Sequence, residues 1–220
     1  SWQLQLLFKL PDGRKFLNAP DIVASPDGTY NAIIIGSGDR EKPLQADTQD
    51  YLVSYRDFCI KPDHKACNTP AVNLHDLQKV AINKYNASTK KIFKGWFLPL
   101  EVGEKIVTRA VTLNSKTSIA SHKPCAEELC DPLGEARIYS FDPFIFAEDQ
   151  GLASKRYYRS IQGGGILPPP VPFAIEMPTC VDEECPEVQS PIGGVAFGPY
   201  IQPSTSAQLG KPIKLWWYRQ

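Results

Sequence analysis

The sequence predicts an all-β domain built from short antiparallel sheets, an incomplete or modified β-propeller with small helical insertions. Three observations carry that expectation. The 220 residues include 20 Pro and 15 Gly, and a Pro share well above the usual ~5% breaks long helices and supplies turns. The apolar stretches are short, about a dozen in number, and each is bounded by turn signals. Finally, Gly13-Arg14-Lys15-Phe16-Leu17-Asn18-Ala19-Pro20 can be laid beside Gly103-Glu104-Lys105-Ile106-Val107-Thr108-Arg109-Ala110. Each is a Gly turn, a Lys and an extended apolar segment, and their separation is about twice the ~45 residues of one four-stranded blade. With so little helix, blade-like sheets are favoured over a sandwich.

The elements follow in order. Trp2 to Phe8 alternates and reads as a strand, and Pro11-Asp12-Gly13 is a turn. Phe16 to Ala24 is a second strand, ending at Ser25-Pro26-Asp27-Gly28. Tyr30 to Ile35 is an apolar run of strand length that closes on Gly36-Ser37-Gly38, and Tyr51 to Tyr55 alternates around Leu52 and Val53. A cysteine and helix insertion is expected over 59–91. Within it Asn73 is a good N-cap, Asp76 stands three residues on, and Leu74, Leu77 and Ala81 share a face, which predicts a helix to about Tyr85. Further strands are read at Trp96 to Leu98, Lys105 to Leu113, Thr117 to Ser121, Ala136 to Phe141, Arg156 to Ile161, Val171 to Ile175, Gly193 to Phe197 and Ile213 to Tyr218. The whole of 1–220 is expected to form a single domain.

Composition narrows the function. Lys plus Arg number 24 and Asp plus Glu number 24, a formal net charge of zero. That balance argues against attraction to nucleic acid or anionic lipid as the main activity. At 42% hydrophobic residues a packed core is expected rather than disorder. No apolar run approaches the ~18 residues of a membrane span. Ser1-Trp2-Gln3 is not a signal peptide, and the first residues read as the inside of a strand, so a segment of a longer chain is expected.

Six cysteines fall into three local pairs: Cys59 and Cys67, Cys125 and Cys130, Cys180 and Cys185. None forms a Cys-x-x-Cys, so a redox site has no support. Loop-closing disulfides between neighbours are the simplest reading and imply an oxidising compartment. Zinc is the competing reading, combining two Cys-x4-Cys pairs, or one pair with His64, His75 or His122. Its ligand spacing is poor, and the acidic residues flanking the short pairs disfavour thiolates.

Catalytic motifs are scarce. Gly-x-Ser-x-Gly is absent, and His64, His75 and His122 read as exposed residues with no nucleophile beside them. Glu127-Glu128 and Glu183-Glu184 lie between cysteines and read as solvated loop faces. Gly163-Gly164-Gly165 lacks a following Lys-Ser/Thr and runs into Pro, so it is not a phosphate loop. Trp216, Trp217 and Tyr218 offer a better lead. Alternation sends neighbours to opposite faces, so they either pack as a terminal strand or present one aromatic to a partner as an adhesive hot spot.

Several segments in order resemble a known family. They are Asn18-Ala19-Pro20-Asp21-Ile22-Val23, Ile33-Ile34-Ile35-Gly36-Ser37-Gly38, Asp50-Tyr51-Leu52-Val53-Ser54-Tyr55-Arg56-Asp57 and Gly95-Trp96-Phe97-Leu98. Gly103-Glu104-Lys105-Ile106-Val107-Thr108, Pro124-Cys125, Ala136-Arg137-Ile138-Tyr139-Ser140-Phe141-Asp142, Gly163-Gly164-Gly165-Ile166-Leu167-Pro168-Pro169-Pro170 and the terminal Trp216-Trp217-Tyr218-Arg219-Gln220 continue the set. The series is similar to the C-terminal end of the PilY/PilC-type type IV pilus tip proteins. The resemblance implies the last blades of a modified propeller at the pilus tip or cell surface. It implies roles in pilus assembly, twitching motility and adhesion to host surfaces, with minor pilins, a host-cell receptor or matrix as partners. The family's calcium loop would lie upstream of the blade that begins here. Asp27-Gly28-Thr29-Tyr30-Asn31 is too sparse in carboxylates to replace it, so calcium belongs to the parent protein and no cofactor is expected in this segment. A non-catalytic surface module is therefore expected; the alternative is a periplasmic propeller enzyme or a carbohydrate-binding module.

Overall fold

Among residues 6–11, 13–60, 70–80, 94–125, 132–144, 158–175 and 192–204, which the computed structural model describes, regular structure is almost entirely strand. A first set comprises β1 (Phe8–Lys9), β2 (Asp21–Ala24), β3 (Asn31–Gly36), β4 (Tyr51–Asp57), β5 (Val72–Asn73), β6 (Gln78–Lys79) and β7 (Gly95–Pro99). A second comprises β8 (Lys105–Ile106), β9 (Val111–Leu113), β10 (Lys116–Lys123), β11 (Glu135–Phe141) and β12 (Tyr158–Gln162). β13 (Val171–Ile175), β14 (Ile192–Phe197) and β15 (Tyr200–Ser204) complete the series.

Antiparallel pairing makes three meander-like sheets, in which β4 pairs with β7 across the intervening β5 and β6, and β8 with β10 across β9. The first sheet runs β2-β3-β4-β7, with β6 added parallel to β7. The second runs β12-β11-β10-β8, with β9 also on β10, and the third is β13-β14-β15. A short parallel pair, β1 with β5, forms a separate two-stranded sheet. The described residues form several antiparallel sheets and no closed barrel.

Period-two alternation decides which face each side chain takes. In the first sheet Ile34, Leu52, Trp96 and Leu98 point one way and meet Ile106, Ile119, Tyr139 and Phe141 of the second. The Trp96 and Phe141 rings meet edge-on at 5.3 Å across that interface, a favoured aromatic geometry. The opposite face of the first sheet, with Val53, Tyr55 and Phe97, is covered by Leu10, Val72 and Leu77. The second sheet also buries its other face: Ala120, Ala136 and Ile138 pack on Val195 and Phe197 of the third. The sheets therefore stack face to face, each apolar on both sides where it lies between neighbours. Gly36 shows how closely they approach, because a Cβ there would overlap the Ile106 side chain.

Several sequence expectations are corrected. The helix from Asn73 shrinks to one 3₁₀ turn, Leu74–Asp76. The cap is real, since Asp76 accepts the Asn73 N–H at 2.9 Å. Leu77 is nevertheless extended, and Gln78 and Lys79 pair with Trp96 and Phe97. Strand hydrogen bonds to β7 prevail over a propensity worth only tenths of a kcal/mol per residue. Ala81 to Tyr85 lie outside the described residues. The strand read at Phe16 to Ala24 is confined to Asp21–Ala24, and that at Lys105 to Leu113 divides into β8 and β9. The opening strand contributes only Phe8–Lys9 among the described residues. His122 is no exposed loop residue: it lies in β10 and is buried.

Candidate interaction surface

Strand direction gathers the charged chemistry at one end of the stack. The 37–50 connection enters β4, β7 runs antiparallel to β4 toward the same end, and the turn 100–104 follows it. β10 finishes there, β11 starts there, and β12 finishes beside it, with Lys123 opposite Glu135 and Glu135 opposite Gln162. Glu135, Arg137, Tyr139 and Phe141 alternate onto the face toward the first sheet. Arg137 meets carboxylates and Glu135 accepts from Arg137 and Ser160, whereas Phe141 joins the apolar cluster and Tyr139 joins it with its hydroxyl on Glu104.

Arg137 sits at the centre of this end. Its Nη1 lies 2.9 Å from Glu101 Oε1 and 2.8 Å from Glu104 Oε2, and its Nη2 lies 2.8 Å from Glu135 Oε2. Nη2 also donates to Glu101 Oε2 at 3.0 Å. The guanidinium carbon stands 4.5 Å above the Tyr158 ring, a cation–π contact that adds to the ion pairs. Lys123 Nζ reaches Glu101 at 2.6 Å. Glu104, fully buried, accepts from Ser121 Oγ at 2.5 Å and from Tyr139 Oη at 2.7 Å. Ser160 Oγ donates to the remaining oxygen of Glu135.

The electrostatics follow from burial and pairing. The guanidinium of Arg137, aided by Lys123, holds the Glu101 carboxyl down at about 2, against the pull of partial burial. Burial works against the charge on Arg137, but Glu135 and Glu101 outweigh it and hold the guanidinium firmly protonated. Burial, reinforced by Glu104, pushes the Tyr139 phenol well above its ordinary value. Every carboxylate oxygen of Glu101, Glu104 and Glu135 is thus engaged by a donor. Such a network fixes geometry; it offers no free acid or base.

The other face of the second sheet carries Lys105 and His122, opposite each other in register. Lys105 Nζ donates to the carbonyls of Gln45 at 2.6 Å, Gly103 at 3.1 Å and Pro43 at 3.2 Å. It thereby ties the 37–50 connection to the turn before β8. Gly103 takes a left-handed φ of 83° against Ala46, a conformation that favours glycine. Ser37 Oγ donates to Asp50 at 2.6 Å and closes the base of the same connection. His122 Nδ1 lies 3.1 Å from the Gly165 carbonyl, and burial holds its pKa below the ordinary value.

Above this rigid base stand apolar tips. Leu44 is 76% exposed and Val102 58%, and both flank residues whose carbonyls Lys105 holds. Leu133 is 62% exposed and Ile166 is also open, joined to the base through Gly165 and His122. Leu44, Val102, Leu133 and Ile166 thus stand exposed on loops at the end of the stack that carries the ionic network.

The residues singled out in the sequence fare differently. Cys59 and Cys125 are disulfide-bonded, and no free cysteine occurs among the described residues. Cys67, Cys130, Cys180 and Cys185 lie outside them, as do His64, Trp216, Trp217 and Tyr218. His75 is exposed, as expected, and no cluster of three metal-ligating side chains occurs among the described residues. No described helix is long and apolar enough to cross a membrane. The Arg137 network escaped the sequence reading; its one local signal is the charged Glu135-x-Arg137 leading an alternation that ends in Tyr139 and Phe141.

No protein-family model and no curated protein matches the sequence. Among solved structures, the chain is similar in fold to the crystal structure of the Pseudomonas aeruginosa PilY1 C-terminal domain. The TM-score is 0.61 at 14% sequence identity, over 91% of this chain and 48% of that one. The chain therefore spans about half the length of that structure, and the likeness is one of fold.

Proposed function

We propose that this chain is a non-catalytic surface module of a type IV pilus-associated protein. In this reading its three meanders are successive blades of an incomplete propeller, and the loop end of the stack is its binding face. The module acts in pilus assembly, twitching motility and adhesion to host surfaces, between the periplasm and the pilus tip. Its partners are minor pilins, with a host-cell receptor or matrix as the external target, and calcium belongs to the parent protein.

One observation carries the reading: Leu44, Val102, Leu133 and Ile166 stand exposed on loops of one end, above carboxylates already committed to Arg137 and Lys123. A propeller enzyme or sugar-cleaving site would need carboxylates free to exchange protons. Fold likeness to a pilus protein's domain supports the context. The test is a binding measurement between this domain and minor pilins of the same pilus system, with Leu44→Asp and Val102→Asp combined. Loss of binding by about tenfold or more with an unchanged melting temperature supports the proposal. Undiminished binding by the double variant, or no binding by the parent domain, sinks it.

A further inference from the structure

Lys105 places three N–H donors among three backbone carbonyls. Its residue is 1% exposed, and Nζ donates to Gln45 O, Gly103 O and Pro43 O at 2.6, 3.1 and 3.2 Å. An ammonium has three donors and no acceptor, so its hydrogen-bonding capacity is fully met. Burial lowers its pKa from the ordinary value, and Asp50, Asp39 and Asp47 lie near enough to work against that and favour the charge. Oxygen atoms converging on one cation, with carboxylates behind them, are how proteins hold a free hard cation. Here the cation is covalently attached.

We propose that Lys105 is a built-in cation for a carbonyl cage shared by residues 43–45 and Gly103, and that the cage takes a small free monovalent cation once the side chain is shortened. The site explains how a long connection without regular structure keeps one conformation. The Pro43 and Gln45 carbonyls turn inward to Nζ, which leaves Leu44 between them turned outward. Because the cation belongs to the chain, that conformation does not depend on the ions in solution. The inference deepens the proposed function, since Leu44 is one of the binding tips. Its own support is the cage, so either can fail without the other.

The test is thermal unfolding of Lys105→Ala and Lys105→Met in chloride salts of matched ionic strength. Propylammonium replaces the atoms removed by alanine, potassium is a bare alternative, and tetramethylammonium is too large and lacks N–H donors. Lys105→Ala should melt below the parent and recover progressively with propylammonium, more weakly with potassium, and not with tetramethylammonium. The parent and Lys105→Met, whose side chain fills the space, should not respond. An equal response of all three proteins, or none in Lys105→Ala, overturns the proposal. If Lys105→Ala does not fold in plain buffer, refolding in propylammonium chloride supports the cage, and failure to refold in any salt overturns it. Partner binding is not read in this experiment.

Discussion

Arg137 illustrates how a buried charge can be necessary without being a source of net stability. Pairing with Glu101, Glu104 and Glu135 offsets its desolvation, and an apolar replacement of all partners could be equally stable. Removing the guanidinium alone leaves Glu104 buried beside two further carboxylates. Arg137→Met should therefore destabilise the domain by about 3–5 kcal/mol, read from urea denaturation at neutral pH. Acid should act on the same cluster. The folded Glu101 carboxyl is held at about 2 against 4.5 ordinarily, so its contribution is present above about pH 4.5 and lost as pH falls toward 2. Because its side chain is 41% exposed, solvent screening leaves a contribution of about 1 kcal/mol. Glu101→Gln should flatten the stability profile over that interval. His122 adds to acid sensitivity in a higher window. Burial lowers its pKa below 6.5, so the unfolded chain binds the proton more readily and stability rises with pH up to about 6.5. His122→Asn should remove that part of the slope in denaturation series at pH 5 and pH 7.

At the scale of elements, alternation and turn chemistry made most of the central strands readable. Val171 to Ile175 is a strand over the stretch read from the sequence, and Gly36-Ser37-Gly38 marks a real close approach of two sheets. The helix expected from Asn73 was misread because the cap signal is local, whereas the competing bonds to β7 come from residues about twenty positions away. The same reason divides the strand read from Lys105 to Leu113: β8 and β9 pair with different stretches of β10. Leu98, in β7 and fully buried, belongs to the apolar cluster between the first and second sheets. Leu98→Ala should cost about 2–5 kcal/mol in equilibrium unfolding, with no change in the acid-sensitive slope assigned to Glu101.

For the whole molecule, the stack bears on the proposed binding role of a net-neutral chain. Glu101, Glu104, Lys123, Glu135 and Arg137 are paired with one another at one end, and the loops there expose Leu44, Val102, Leu133 and Ile166. Added salt should therefore change partner binding by less than about threefold, because rim charge mainly sets association rate and salt dependence. A steep salt dependence in the same binding assay would contradict an apolar contact. That end was largely illegible in the sequence. Glu101, Glu104, Lys123 and Arg137 are spread over more than thirty residues, and only the order of strand pairing makes them neighbours.

The sequence alone determined the β architecture, the places where turns interrupt it and the absence of recognisable catalytic motifs, because propensity and alternation act between residues a few positions apart. The tertiary structure decided which charges meet, which lysine is buried and which loops share an end, because those depend on strand pairings between distant segments. Local rules constrain a residue's conformation and face; only the closed set of pairings selects its partners.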